Sequence, residues 1–258
     1  MSDTKAMQRL CGLMRKAVQQ YEMLAPGDRV LVGVSGGKDS VALSIGLARL
    51  RQYLGFPFEV VAVTLDPQFG GKPVDYSALE ALFRRYDVPY EVRRTLIGPI
   101  VFDYRNEKNP CSLCAKMRRG SLHTALREAG IHKVALGHHY DDAVETFLMS
   151  LVFEGRMHTF APRTYLSRAD ITVIRPMIYV HEKDIVSIAK KLELPVVPNN
   201  CPADGITKRH SMKEEMARLE AMNFTVKERM LHAVTTSIWA PLMLPEEEQI
   251  MIPMKKEL

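Results

Sequence analysis

The feature that most limits what this chain can fold into is an alternation. Short runs rich in β-branched and aliphatic residues, DRVLVGVS, FEVVAVTLD, PYEVRRT and HKVALGHH, take turns with longer stretches whose apolar residues recur at helical spacing. The runs have the length and composition of buried strands. The stretches between them, DSVALSIGLARLRQYLG, SALEALFRRYDV, CSLCAKMRRGSLHTALREAG and DDAVETFLMSLVFEG, read as helices, the first presenting Leu43, Leu47, Leu50 and Leu54 on one face. Strands alternating with helices predict an α/β protein with a parallel sheet covered by helices on both faces.

The flanks fit around that frame. Residues 5–24 read as a helix with Leu10, Leu13, Met14, Ala17 and Tyr21 on one side, ended by Pro26-Gly27. Gly98, Pro99, Asn109 and Pro110 break the rhythm over 97–110, and Tyr165 to Pro176 reads as less regular and partly extended. Helices follow over 181–193, about 210–222 and 225–238, and APLMLPEEEQIMIPMKKEL reads as an irregular tail. The expected division is an N-terminal helix over 1–26, a main domain over 27–200 carrying the Cys-x-x-Cys insert, and a helical extension and tail over 201–258.

Composition narrows the class. At 258 residues the chain is long enough for one sizeable core, and 47% hydrophobic with 25% charged residues is the make-up of a globular protein. No apolar stretch approaches a membrane span, and MSDTKAMQRLCG lacks the layout of a secretory signal, so a cytoplasmic protein without a membrane partner is expected. The formal charge of +5 favours a polyanionic partner only weakly. Its distribution says more: Arg84-Arg85, Arg93-Arg94 and Arg118-Arg119 are paired, with Arg105, Lys108, Lys116, Arg127 and Lys133 between and after them. For one pair a solvated helix face is the simpler explanation, but this density makes a nucleic acid a plausible partner.

In an open α/β sheet, ligands bind beyond the carboxyl ends of the strands, so VGVSGG, VTLD and LGHHYDD should converge. The first runs into SGGKDS. Two nucleotide-loop patterns fail on it: three residues, not four, separate Gly33 from Gly37, with Asp39 after Lys38, and the second glycine of the dinucleotide fingerprint is missing. The string nevertheless suits phosphate. Gly36 and Gly37 let amides approach an anion, the helix starting near Asp39 offers its N-terminus, Ser35 and Ser40 add hydroxyls, and Lys38 adds a cation.

Asp66 ends the second strand, where it is placed for nucleotide or metal or simply for a turn. In GHHYDD, Asp141 suits a helix cap or catalysis, Asp142 suits a favourable first-turn charge, and His138 and His139 are strand-end residues that either line the site or do not. Arg175-Pro176 either meets phosphate or RNA or pins a bend. Of four cysteines, Cys11 lies on the apolar side of a helix and reads as an inert thiol, whereas Cys111 and Cys114 form a Cys-x-x-Cys at the mouth of a helix. Zinc, a redox dithiol and an iron–sulfur cluster all use that spacing, and Cys201 offers a third thiol. Arg118 and Arg119, one turn on, should lower the thiol pKa values.

SGGKDS directly after a buried strand resembles the PP-loop of the N-type ATP pyrophosphatases, whose pattern is SGGxDS and whose members cleave ATP between the α and β phosphates. CSLCAKMRRG, LGHHYDDAVETFLMSLVFEG and VIRPMIYVHEKDI together resemble the TtcA family of tRNA 2-thiocytidine synthetases, from about residue 8 to about residue 215. Cys201-Pro202-Ala203 departs from the Cys-Gly-Ser context that the family carries. The resemblance implies an adenine nucleotide alpha hydrolase-like fold with helical extensions and a tRNA sulfurtransferase that converts ATP to AMP and pyrophosphate. It implies ATP, Mg2+ and a [4Fe-4S] cluster as cofactors, the cluster on Cys111, Cys114 and Cys201. The nucleotide falls to Ser35, Gly36, Gly37, Lys38, Asp39, Ser40, Asp66 and Gly137, and catalysis to Lys38, Arg118 and Asp142. Partners implied are tRNA and a sulfur donor such as a cysteine desulfurase or sulfide. Dimers are common in the family, which makes the apolar N-terminal helix a candidate interface. Two rival readings stand beside this one: a PP-loop ligase with an amine nucleophile and a structural zinc, and a nucleotide-responsive RNA-binding or redox-sensing protein without turnover.

Overall fold

The computed structural model describes residues 5–71, 74–105, 110–198, 200–203 and 208–240. The expected tail beyond residue 240 and Lys108 lie outside them. Two compact units interleave along the chain: Met1–His139 with Arg163–Ile206, and Tyr140–Pro162 with Thr207–Leu258.

The first unit holds the sheet. Its strands are β1 (Arg29–Gly33), β2 (Glu59–Asp66), β3 (Tyr90–Arg94), β4 (Lys133–Ala135), β5 (Arg163–Leu166) and β6 (Ile171–Ile174), in the order β3-β2-β1-β4-β6-β5. Neighbours pair in parallel, with Val30 opposite Val60 on one side and Lys133 on the other, except that β5 runs antiparallel to β6. Residues 165–176, expected to be less regular and partly extended, form most of a β-hairpin. Four-residue strands joined by Ser167–Asp170 are too short for their alternation to stand out, and Asp170 turns the chain with a φ of 51°.

Val30, Leu31 and Val32 are all buried, as consecutive residues can be only when both faces of a strand are covered. On one face Leu31, Val63, Val134 and Val173 pack with Ala125 and Leu126 of α4 (Pro110–Ala129). The alternate residues face α2 (Lys38–Leu50), which packs in turn on α1 (Lys5–Gln20) and α6 (Glu182–Lys191). The apolar side of α1, Met7, Leu10, Cys11, Met14 and Ala17, is thus used within the chain against α2 and α6 and is not offered to a second copy. Cys11 is a buried free thiol, as its helical setting implied.

In the second unit α5 (Tyr140–Glu154) packs on α7 (Lys208–Met222) and α8 (Val226–Val234), and a π-helical turn over Thr235–Trp239 buries Trp239, whose Nε1–H donates to Phe160 O at 3.2 Å. Asp141 does not cap α5. It lies inside the first turn, 6% exposed, and accepts from Lys227 Nζ at 3.0 Å. Among the described residues no helix is long and apolar enough to cross a membrane.

Candidate active site

The chain leaves β1 outward through β2 and β3, then crosses back to place β4 on the other side of β1. That reversal is the switch point at which an open sheet leaves a crevice for ligands. The segments entering the crevice are the loop after β1 and Leu136–His139 after β4.

Residues 35–40 brace themselves. The Ser40 hydroxyl accepts the Ser35 N–H at 3.1 Å and donates to Gly37 O at 3.0 Å, and the two serine oxygens lie 3.2 Å apart. Ser40 is therefore a strut inside the loop more than an exposed donor. Gly36 has a φ of 86°, and a Cβ there would stand 2.8 Å from Val197 Cβ, so only glycine fits without strain. Val197 N–H bonds Gly36 O at 2.9 Å, which fixes the loop from the segment after α6. Gly37 precedes α2 in extended conformation, leaving the first-turn amides of that helix without intrahelical acceptors and the positive end of its dipole at the loop. Gly137 closes the other wall, since a Cβ there would lie 3.2 Å from Ser40 N and 3.3 Å from Asp39 C.

Charge is arranged around this cradle. Lys38 Nζ donates to Glu182 Oε1 at 2.9 Å and lies 3.2 Å from Asp39 Oδ1. Partial burial pulls the ammonium pKa down, but the bond to Glu182 and the charges of Asp39 and Glu182 outweigh it, so the net shift is upward. His139 is buried with Nε2 3.9 Å from Asp39 Oδ1, so this strand-end histidine does face the loop. Asp66 is 2% exposed at the end of β2, where Oδ1 accepts the Gln68 N–H at 2.9 Å and the main-chain oxygen accepts from Thr95.

The cysteines lie at the start of α4 and beyond Val197. None is in a disulfide: Cys111 is exposed, while Cys114 and Cys201 are half-buried. Burial is the first cause of a raised Cys114 pKa, and the neighbouring Cys201 and Cys111 thiolates raise it further, against a lowering by Arg118. The expected net lowering is thus overturned. Arg118 acts in the anticipated direction, but the desolvation of the thiol is larger. The three thiols are near enough to feel one another's charge, yet among the described residues no three His, Cys, Asp or Glu side chains are gathered as the ligands of a single metal ion. A donor set of three thiols outside any disulfide, beside a cation, fits a thiolate-ligated cluster, whose ligands stand further apart than those of one ion.

Arg118 reaches in the other direction as well. Its charge opposes the rise of the Tyr76 pKa, which burial first, then the Asp66 and Tyr90 charges and a hydrogen bond to Asp66, push up to about 12. The Arg118 Nε is buried and has no hydrogen-bond partner among the described residues. Tyr76 is thus hydrogen-bonded to Asp66, and the Arg118 charge is felt by both Tyr76 and Cys114.

Asp142 lies half-buried in the first turn of α5, in the second unit. Arg175 follows β6, where burial lowers its pKa to about 10 and its guanidinium donates to Thr164 Oγ1 at 3.4 Å, so it ties down the hairpin. Within the basic middle third, Arg93 is paired with Glu91 and Glu128, and Lys133 with Asp28, so those cations are already committed to carboxylates. Glu182, Val197 and Tyr76 went unnoticed in the sequence. The first two sit in a segment that reads as an ordinary amphipathic helix and its exit, where Glu182 is one of two acidic residues in the first turn behind the cap His181.

Comparison with known proteins agrees with this geometry. A PP-loop domain family matches residues 8–219. A tRNA-cytidine(32) 2-sulfurtransferase of Citrifermentans bemidjiense is 35% identical, covering 89% of this chain and 91% of its own. One from Dichelobacter nodosus is 38% identical over 85% of this chain and 82% of its own. Among solved structures, the U34-tRNA thiolase NcsA of Methanococcus maripaludis with its [4Fe-4S] cluster superposes with a TM-score of 0.68 at 21% identity, covering 88% of this chain and 77% of that one, which supports the fold. With relatives this similar along nearly their whole length, the chain belongs to the PP-loop family and, within it, to the tRNA-cytidine 2-sulfurtransferases.

Proposed function

We propose that this protein thiolates C2 of a cytidine in tRNA at the expense of ATP. One observation carries the reading: Arg118 lies within electrostatic reach of Cys114 and also of Tyr76, which is bonded to Asp66, so thiols and nucleotide edge share one locality. The triphosphate binds over Ser35, Gly36, Gly37, Lys38, Asp39 and Ser40, with its charge met by the α2 N-terminus and Lys38. Gly137 and Asp66 shape the nucleotide end, and a magnesium ion accompanies the phosphates. Asp142 is assigned to magnesium or proton transfer by its place in GHHYDD.

The C2 oxygen attacks the α-phosphorus, the bond to the β-phosphate breaks, and pyrophosphate leaves. A sulfur nucleophile then adds to C2, the C2–O bond breaks with its electron pair going to AMP, and loss of the sulfur-borne proton leaves C2=S. Arg118 and Lys38 stabilise the anionic charge that grows in these steps. Cys111, Cys114 and Cys201 would hold a [4Fe-4S] cluster, which when bound supplies an open iron able to carry sulfur. A base must leave its stack to be reached, so a loop cytidine is the least costly target.

The test is anaerobic incubation of the protein with unmodified tRNA, ATP, magnesium and sulfide, followed by nucleoside mass spectrometry. Appearance of 2-thiocytidine with stoichiometric AMP is expected. AMP and pyrophosphate with an amine-substituted base, or no turnover with intact ATP binding, would overturn the proposal.

A further inference from the structure

Lys38 stands where a phosphate-neutralising cation is needed, and its ammonium is held by Glu182 Oε1 at 2.9 Å and by Asp39 at 3.2 Å. Glu182 is not loosely placed. It opens α6 behind His181, where a carboxylate is favoured by the helix dipole. That helix is anchored by buried Ile185 and Ile188, and Asp184 accepts from Arg9 Nε at 3.2 Å. Downstream, Val197 bonds the phosphate loop itself. The carboxylate is therefore presented to Lys38 by a segment fastened to the loop at both ends.

An anion so placed does two things to an incoming nucleotide. It occupies the lysine, and it favours ligands with enough charge to take the lysine away. From this geometry we propose that Glu182 is a positioning residue for Lys38: it holds the ammonium at the mouth of the PP-loop, yields it to a triphosphate, and recaptures it once the less charged products leave. The inference rests on the nucleotide role assigned to residues 35–40. Glu182 itself touches no reacting atom.

The pair predicts a substitution that improves binding. Glu182→Gln keeps the shape of the side chain and removes its charge, so the full-length protein should bind ATP about two- to fivefold more tightly by calorimetry, the range of a partly exposed ion pair. Glu182→Asp should return affinity toward wild type. In a Lys38→Met background, Glu182→Gln should change nothing, because no ammonium remains to be released. Weaker or unchanged binding by Glu182→Gln would overturn the proposal, since a merely structural carboxylate predicts that result. Equal tightening in the Lys38→Met background would overturn it too, by showing plain repulsion of the phosphates. Wild-type protein that binds no ATP would remove the nucleotide reading itself, an outcome distinct from a wild type that binds normally and an uninformative Glu182.

Discussion

Residues 35–40 hold their shape through bonds among themselves, whereas Cys111, Cys114 and Cys201 come from two distant segments and share only their electric field. The loop is finished before its ligand arrives. Its serine bridge, its left-handed glycine and the helix behind it need no rearrangement to meet phosphate, and ordering costs have been met in folding. The thiols are assembled but not converged, and burial disfavours the charged form of Cys114. A metal group that requires thiolates must overcome that penalty and, in doing so, fixes the corner that holds it. Under the proposed function, one half of the site is built by the chain, and the other would be completed by what it binds.

This contrast breaks if the halves fail together. Replacing Cys111, Cys114 or Cys201 by alanine should reduce 2-thiocytidine formation to background while ATP affinity, measured by calorimetry, stays within about twofold, because Arg118, the group within reach of both halves, is left in place. Lys38→Met should do the reverse, lowering AMP formation on the order of a hundredfold or more while iron content is kept. The second unit provides a control. Lys227→Met removes a cation partner of the buried Asp141 carboxylate and should cost about 3 kcal/mol of stability in chemical denaturation. Burial lowers the Lys227 pKa, but its bonds to Asp141 and Glu220 raise it more. The folded state thus favours the ammonium: the contribution is full below the ordinary lysine value and is lost as pH rises through the raised one, so the gap between wild type and variant should close in strongly alkaline buffer. The smallest effect is expected of Gly36→Ala, where a left-handed φ and the crowding by Val197 should cost about 1–3 kcal/mol, read as a lowered Tm with weaker ATP binding.

The same contrast explains what could be read in advance. SGGKDS is contiguous, and its strand–loop–helix setting follows from the alternation around it, so the loop, its glycines and Lys38 were legible. Asp66 and Gly137 were legible one step later, because strand ends of a parallel sheet share an edge. Glu182, Val197 and Tyr76 reach the site by packing between segments far apart in the chain, and nothing local marks them. The β5–β6 hairpin escaped because four-residue strands carry too little periodicity. The sign of the Cys114 shift was misjudged for a related reason: Arg118 is visible in the sequence, whereas the burial that outweighs it is not.

The central claim, that three thiols beside a preformed nucleotide loop carry a cluster for sulfur chemistry, is tested most directly by iron and acid-labile sulfide analysis of protein purified without oxygen. The account predicts a [4Fe-4S] stoichiometry per chain, lost in Cys201→Ala while ATP binding persists. Zinc with no acid-labile sulfide, or a cluster that survives Cys201→Ala, would contradict it.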